Sequence, residues 1–414
     1  MKTYFDDRET ISVEERKINY NERLSQMVQA GYEKSVRVRE TLDALGFTPS
    51  DIATCDDLQK LPVISREALV EWELKEPPFG GFSEKEIAPE RIFISPGPVY
   101  EPHLMENSLW GRGYHAAGFR KGDIVINAFS YHMVAAGLTF HEGLRSAGAT
   151  VVPSGTSGTE TQVALIRDLS VTGYTGTPSF LKAIIEKAEG MGYSFGNDFS
   201  LRRAVFVAEP LQPSLREVFE KNYGIDTYQM YGATEVGDIA YECTEKKGWH
   251  ICEEVIVEIV DPSTGTTVEE GTLGEVVVTR LNDMFFLFRF GTGDLSRIIQ
   301  EPCSCGRTAV KLDGIAGRVG DAVKIRGLFV TPSQLNAIRN VLEDIHFQLV
   351  ITRESYRDYL TVKIAAEKDE EKIRNRFGTL FHEICTVKID TIEFVDKGGL
   401  SKEDKLIVDK RDWK

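Results

Sequence analysis

The sequence predicts an α/β protein. Its large N-terminal domain is expected to hold several subdomains, with parallel α/β sheets and a small β-rich subdomain, followed by a small α+β C-terminal lid domain. Three observations predict this. Strand-like and helix-like segments alternate from residue 123 to 223. β-rich segments separated by turns follow up to residue 290. Beyond a glycine-bounded stretch at 317–327, a mixed pattern of helices and strands resumes. The final part, roughly 90 residues, is long enough to fold alone. The expected domains are therefore 1–317 and 318–414.

The entry segment, 13–46, reads as helical because Leu24, Met27, Val28, Tyr32, Val36, Val38, Leu42 and Leu45 recur at helical spacing. Residues 91–95 form a short apolar strand, broken by Pro96-Gly97-Pro98. Strands are expected over 124–129, 150–152, 171–175 and 204–207, and helices over 136–146, 160–169, 178–189 and 212–223. Strands alternating with helices of about 10–15 residues imply a parallel sheet covered by helices. Segments 255–260, 274–279 and 285–290 are β-rich. In the last domain helices are expected over 333–344 and 370–385, with strands at 347–352, 359–366 and 387–395.

Ligands of parallel sheets bind at the carboxyl ends of the strands. Four polar stretches lie at such ends: Ser130-Tyr131-His132, Thr175-Gly176-Thr177-Pro178, Ala208-Glu209-Pro210 and Tyr231-Gly232-Ala233-Thr234-Glu235. They can converge on one cleft. The last has residue types that suit a nucleotide. Tyrosine offers a flat face to a base, and glycine lets backbone approach closely. A threonine hydroxyl can donate to phosphate, and a carboxylate can hold a hard cation such as Mg²⁺.

Composition narrows the partners. At 414 residues the chain exceeds one core, and its 42% hydrophobic and 27% charged content is that of a globular protein. The formal charge of −15 argues against a nucleic-acid or anionic-membrane surface, although a site can be locally positive. No run approaches the roughly 18 apolar residues of a membrane span. The polar stretch 1–19 is no signal peptide. Six cysteines are too few and too uneven for a disulfide scaffold, so a reducing cytoplasm is the expected compartment.

Taken together, the motifs resemble the adenylate-forming superfamily, and within it the phenylacetate–coenzyme A ligase branch. Tyr231 to Glu235 is similar to that family's YGxTE motif, and Arg289-Phe290-Gly291-Thr292-Gly293-Asp294 to its RYRTGD motif. Gly317-Arg318 with Val323-Lys324-Ile325-Arg326-Gly327 is similar to the segment joining the two domains. Thr175 to Leu181, Ala208-Glu209-Pro210 and Cys303-Ser304-Cys305-Gly306-Arg307-Thr308 fit the branch. The resemblance implies a two-step reaction, in which a carboxylate and ATP give an acyl-adenylate and coenzyme A then displaces AMP. It implies that Tyr231 stacks on adenine, with Ala208, Glu209, Pro210 and Gly232 shaping that pocket. Thr234 would bond the α-phosphate and Glu235 would ligate Mg²⁺. Asp294 would accept both ribose hydroxyls, and Arg318 would hold ribose or phosphate. Tyr131 and His132 would face the acyl group or phosphates, beside Tyr174, Gly176, Thr177 and Pro178. Phe129, Tyr131, Tyr174 and Phe180 favour an aryl or arylacetyl acid. The partners implied are a small carboxylic acid and coenzyme A, and a homodimer is compatible with them.

Two departures stand out. The family's phosphate loop is rich in Ser, Thr and Gly and carries a lysine, whereas the corresponding place reads Ser95-Pro96-Gly97-Pro98-Val99-Tyr100-Glu101-Pro102. Prolines remove N–H donors, so this segment cannot cradle a diphosphate in the usual way. The loop Ser154-Gly155-Thr156-Ser157-Gly158-Thr159 has the right composition but the wrong position, and reads as a strand-to-helix loop. At the C-terminus the family's catalytic lysine aligns with Glu403, flanked by Lys402 and Lys405. Lys402 is the preferred candidate. Two other readings therefore stand beside the ligase: an adenylyltransferase to a non-thiol acceptor, as in coenzyme F390 synthetases, and a degenerate relative that binds AMP without turnover.

Cys243, His250, Cys303 and Cys305 form a four-ligand set suited to tetrahedral Zn²⁺. Cys252 can replace one of them, and reduced unliganded cysteines are the alternative.

Overall fold

The computed structural model describes residues 3–95, 99–103, 110–325, 328–342, 345–354, 357–366, 370–385, 387–396, 398–401 and 404–411. Contacts divide the chain into two units. The first comprises Met1–Glu258, Val277–Thr292 and Ile298–Gly314, the second Ile259–Val276, Gly293–Arg297 and Ile315–Lys414.

The first unit opens on two helices where the sequence predicts one helical stretch. Ser12 caps Val13–Lys34 by accepting from the Glu15 amide. Ser35 then ends that helix and caps the next, Val36–Leu45, by accepting from the Val38 amide. A serine that satisfies its own downstream amide competes with continuous helix. The buried faces, Leu24, Met27, Val28, Val38 and Leu42, pack into one cluster with Leu281, Phe286 and Phe288.

A nine-stranded sheet organises the rest of this unit. Its parallel part orders Thr150–Val152, Ile124–Asn127, Gly173–Gly176, Arg203–Phe206 and Asp226–Ala233 side by side. Four further strands, Gly237–Glu242, Trp249–Ile251, Lys311–Leu312 and Ile298–Ile299, extend it antiparallel. The expected alternation is present, with helices Ala135–Ser146, Thr159–Asp168 and Pro178–Gly190 between strands. Thr177 caps the last of these, and Pro178 occupies its first turn. The expected helix 212–223 is instead a short α-helix, Pro213–Glu217, that widens into a π turn over Val218–Asn222.

The strand expected over 285–290 is irregular until Phe290, where Phe290–Ser296 begins. The Asn282 carboxamide accepts from the Met284 and Phe285 amides and turns the chain before the buried phenylalanines.

In the second unit, strands Thr391–Val395, Arg357–Ala365, His346–Glu354 and Ile407–Asp409 form a four-stranded sheet in that order. Helices Pro332–Val341 and Glu370–Cys385 bury Leu335, Ile338, Phe377 and Phe381 in a cluster with Leu349, Ile351, Leu360 and Val362. Among the described residues no helix is long and apolar enough to cross a membrane.

Candidate functional site

Adjacent parallel strands bring their carboxyl ends to one edge of the sheet. Asn127 lies opposite Thr175, Gly176 opposite Phe206, and Phe206 opposite Gln229. Strand Asp226–Ala233 carries the Tyr231–Glu235 motif past this edge, with a register shift between Tyr231 and Gly232. A side chain at Gly232 would place Cβ 2.2 Å from the Gly237 carbonyl and 2.5 Å from Trp110, so the close approach requires glycine. Tyr231 packs against Trp249 with ring centres 5.9 Å apart. Ala208 follows strand Arg203–Phe206 with φ of 68°, a left-handed conformation that L-alanine rarely adopts and that clusters at functional sites. Glu209 accepts from the Ser179 hydroxyl at 2.5 Å.

Ala208, Gly232, Ala233 and Thr234 line one cavity of about 160 Å³. Phe93, Trp110 and Phe140 form its aromatic wall, and Trp110 and Phe140 meet edge to face at 4.7 Å. Glu101 and His103 are its buried ionisable groups.

Behind the motif lies a charged network. Glu235 is buried, and the Arg66 guanidinium donates Nη1 to its Oε1. Arg66 Nη2 donates to Ser95 Oγ at 2.9 Å, and that hydroxyl donates to Glu101 Oε1 at 2.5 Å. Glu73 accepts from the Tyr100 amide at 2.8 Å. Burial pushes the Glu101 carboxyl up to about 8; the Ser95 hydrogen bond and Arg66 oppose this, and the charges of Glu235 and Glu73 add to it. Burial likewise raises Glu73 to about 7. The Mg²⁺ expected on Glu235 does not fit this arrangement. Arg66 already occupies Oε1 of that carboxylate, so a cation binding this oxygen would have to displace a guanidinium.

The departure at the phosphate loop has a structural form. Ile92–Ser95 and Val99–Pro102 pair antiparallel, with Ser95 opposite Val99 and Phe93 opposite Glu101. Pairing engages the flanking backbone in a ladder. Pro96, Gly97 and Pro98 lie outside the described residues. The Ser154–Thr159 segment is a strand-to-helix loop: Ser154 Oγ donates to the Asn127 carbonyl at 3.1 Å, and Gln162 donates to the Gly155 carbonyl at 3.0 Å.

Other expected residues fall in varied surroundings. Tyr131 bonds Asn127 Nδ2 at 2.9 Å and His141 Nδ1 at 3.1 Å, and His132 is exposed. Tyr174 lies wholly within the helix-covered core, its hydroxyl donating to the Thr177 carbonyl at 3.1 Å. Gly176 is buried against that same Tyr174 ring. Pro178 is buried and Thr177 spends its hydroxyl on the helix cap. None of these six residues, Tyr131, His132, Tyr174, Gly176, Thr177 and Pro178, belongs to the cavity wall described above. In the second unit Asp294 lies opposite Arg318, and Arg318 Nη1 sits 3.1 Å from Asp294 Oδ1. Lys402 lies outside the described residues, and Lys405 is exposed.

Cys243, His250, Cys303 and Cys305 offer ligand atoms all within 4.8 Å of one another. Cys243 Sγ is 3.6 Å from Cys303 Sγ, and Cys305 Sγ is 3.4 Å from His250 Nε2. His250 Nδ1 lies 3.1 Å from the Ala309 carbonyl, which fixes Nε2 as the ligating nitrogen. Hydrogen bonding from Cys243, with His250 adding to it, holds the Cys305 thiol well below its usual range. The donor set fits Zn²⁺. The N-terminal segment clasps this knot: Tyr4 donates to the Cys305 carbonyl at 3.2 Å, and Glu9 accepts from Arg307 at 3.1 Å.

Sequence reasoning did not reach Arg66, Glu73, Phe93, His103, Trp110 and Phe140. Only Glu101 left a trace, as an added carboxylate in the altered loop. The others come from helix Arg66–Lys75, the hairpin and the residue after it, the N-cap of helix Gly111–Ala116 and helix Ala135–Ser146, and no local pattern marks them.

The family described as AMP-binding enzyme matches residues 103–284. The phenylacetate–coenzyme A ligase of Thermus thermophilus is 32% identical over 87% of this chain and 84% of its own. That of Escherichia coli is 33% identical over 87% and 85%. A 2-hydroxyisobutyryl-CoA ligase, solved in an open conformation with 2-HIB-AMP and CoA, superposes with a TM-score of 0.83 at 22% identity, covering 97% of this chain and 93% of that one.

Proposed function

The chain belongs to the adenylate-forming family of AMP-binding enzymes, and from that premise we propose that it is an acid–CoA ligase whose acid is an aryl or arylacetic acid. One observation carries this reading. Gly232, Ala233 and Thr234 of the motif share a single cavity with Ala208 and an aromatic wall of Phe93, Trp110 and Phe140. The cavity, about 160 Å³, resembles in size a cavity of about 150 Å³ that takes one benzene ring.

In this reading the acid's carboxylate oxygen attacks the α-phosphorus of ATP, the bond to pyrophosphate breaks, and an acyl-adenylate forms. The thiol sulfur of coenzyme A then bonds the acyl carbon, the carbon–oxygen bond to AMP breaks, and the thiol proton leaves to solvent. The chain's task is orientation and charge stabilisation. Thr234 donates to the α-phosphate. Tyr231, Glu209 and Pro210 wall the adenine. Asp294, steadied by Arg318, accepts from the ribose hydroxyls. In this reading 1–317 is the adenylate-binding domain and 318–414 the lid domain, and Lys402 is the candidate lysine for the reacting carboxylate. Cys243, His250, Cys303 and Cys305 would hold a Zn²⁺, which would supply a structural cross-link. No step is assigned to a divalent cation on Glu235.

A second reading, transfer of the adenylyl group to a non-thiol acceptor, would use the same nucleotide site and differ only in the acceptor. Product analysis with ATP, coenzyme A and a panel of aromatic acids separates the two. AMP plus a thioester supports the ligase. An adenylylated acceptor supports the second reading, and AMP binding without acid-dependent pyrophosphate exchange sinks the ligase.

A further inference from the structure

The cavity beside Thr234 is mostly apolar, yet two buried polar side chains open onto it. Glu101 is 3% exposed and His103 2%. Among the described residues, Glu101 Oε2 has no hydrogen-bond partner, and neither does either ring nitrogen of His103. The carboxylates nearest His103 are Glu142, 3.4 Å from Nε2, and Glu90, 3.9 Å from Nδ1, and neither forms a hydrogen bond with it. Buried polar atoms without partners are rare, because each forfeits its hydration with nothing in return. At the wall of a ligand cavity they mark the groups that a ligand completes. The other side-chain hydroxyl of the wall within helix Ala135–Ser146, Thr139, is already spent on the Ala135 carbonyl at 3.0 Å.

Glu101 and His103 are two residues apart on extended chain. That spacing, about 7 Å along a strand, puts both side chains on one face. A hydroxyl between them has one hydrogen to give and lone pairs to receive. Burial keeps His103 below its ordinary pKa, so at neutral pH its imidazole is uncharged and carries one acceptor nitrogen. Glu101, raised to about 8, retains its proton and can donate.

The geometry points to a hydroxylated aromatic acid as the substrate, its ring hydroxyl seated between His103 and Glu101 against Phe93, Trp110 and Phe140. This deepens, and rests on, the acid–CoA ligase reading above. A site built to bond a hydroxyl rejects the analogue without one, because the site's own polar groups are then left unpaired.

Phenylacetate and its 2-, 3- and 4-hydroxy derivatives are the probes, compared in pyrophosphate exchange and in calorimetric binding to the protein with AMP present. At least one hydroxylated isomer is expected to exceed phenylacetate tenfold in kcat/KM. His103→Phe and Glu101→Gln should each shrink that ratio to less than threefold, mainly by lowering turnover of the hydroxylated acid. The ratio between two acids is a readout that mere loss of folding would not move. Equal or better use of phenylacetate by the unaltered protein overturns the inference and leaves the ligase intact, as does a ratio indifferent to both variants. Tight binding of a hydroxylated acid without exchange or thioester supports the pocket chemistry and sinks the ligase reading. Neither binding nor turnover of any of the four acids overturns both.

Discussion

The guanidinium of Arg66 holds the carboxylate of Glu235, with its second nitrogen on Ser95. Glu235 is the motif residue that the family resemblance assigns to a metal, and here it serves as the anionic half of a buried ion pair. Removing one partner of such a pair strands the other charge. Arg66→Ala is therefore expected to cost about 2–4 kcal/mol in chemical denaturation, less than for a fully buried pair because Arg66 is partly exposed. The double variant with Glu235→Gln should recover most of that loss. Additive losses in the double-mutant cycle would show that the two side chains do not act as a pair.

Glu101 makes stability fall with rising pH. Its carboxyl ionises near 4.5 when unperturbed and near 8 in the folded chain. Between these values the folded state keeps a proton that the unfolded state has released, so stability declines across the window and levels off above it. Glu73, raised to about 7, adds a slope of the same sign. Scanning calorimetry from pH 5 to pH 8 should show a falling Tm, and Glu101→Gln should flatten part of the fall. An unchanged slope in the variant would assign the effect elsewhere.

Asp294 and Arg318 give a nucleotide prediction. Hydrogen bonds to a charged group contribute about 1.5–3 kcal/mol each. Asp294→Ala should weaken AMP binding by roughly tenfold to a hundredfold in calorimetry. Arg318→Ala should weaken it less, since Arg318 is the more exposed member of the pair. Undiminished AMP binding by Asp294→Ala would remove the ribose assignment.

The cysteine–histidine knot predicts about one zinc per chain after exhaustive dialysis. Cys303→Ser should lower that occupancy and the Tm together, and a strong chelator should mimic the variant. Zinc-free protein of unchanged Tm would return the four residues to reduced, unliganded side chains.

Gly232→Ala tests the close approach at the motif. Its Cβ would collide with the Gly237 carbonyl and Trp110. A loss of about 1–3 kcal/mol is expected from overpacking, together with weaker ligand binding at the cavity. A neutral substitution would mean that the hairpin relaxes without disturbing Trp110.

The sequence by itself determined what is local. Strand and helix periods placed the parallel sheet, since each segment carries its own pattern of burial. Residue types in contiguous stretches marked Tyr231–Glu235, Ala208–Pro210, Asp294 and the cysteine pair at 303 and 305. Even the poor suitability of residues 95–102 for a phosphate was legible, because proline's missing N–H is a property of the residue. Tertiary structure decided the partners. Arg66 reaches Glu235 from a helix far away in the chain, and Phe93, Trp110 and Phe140 meet at one wall only because hairpin and helix pack there. Tyr174, chosen by its nearness to a strand end, turns inward to the core because strand alternation gives it the helix-covered face. His103 carries no motif at all. What singles it out is burial without a hydrogen bond, and that can be seen only when every neighbour is in place.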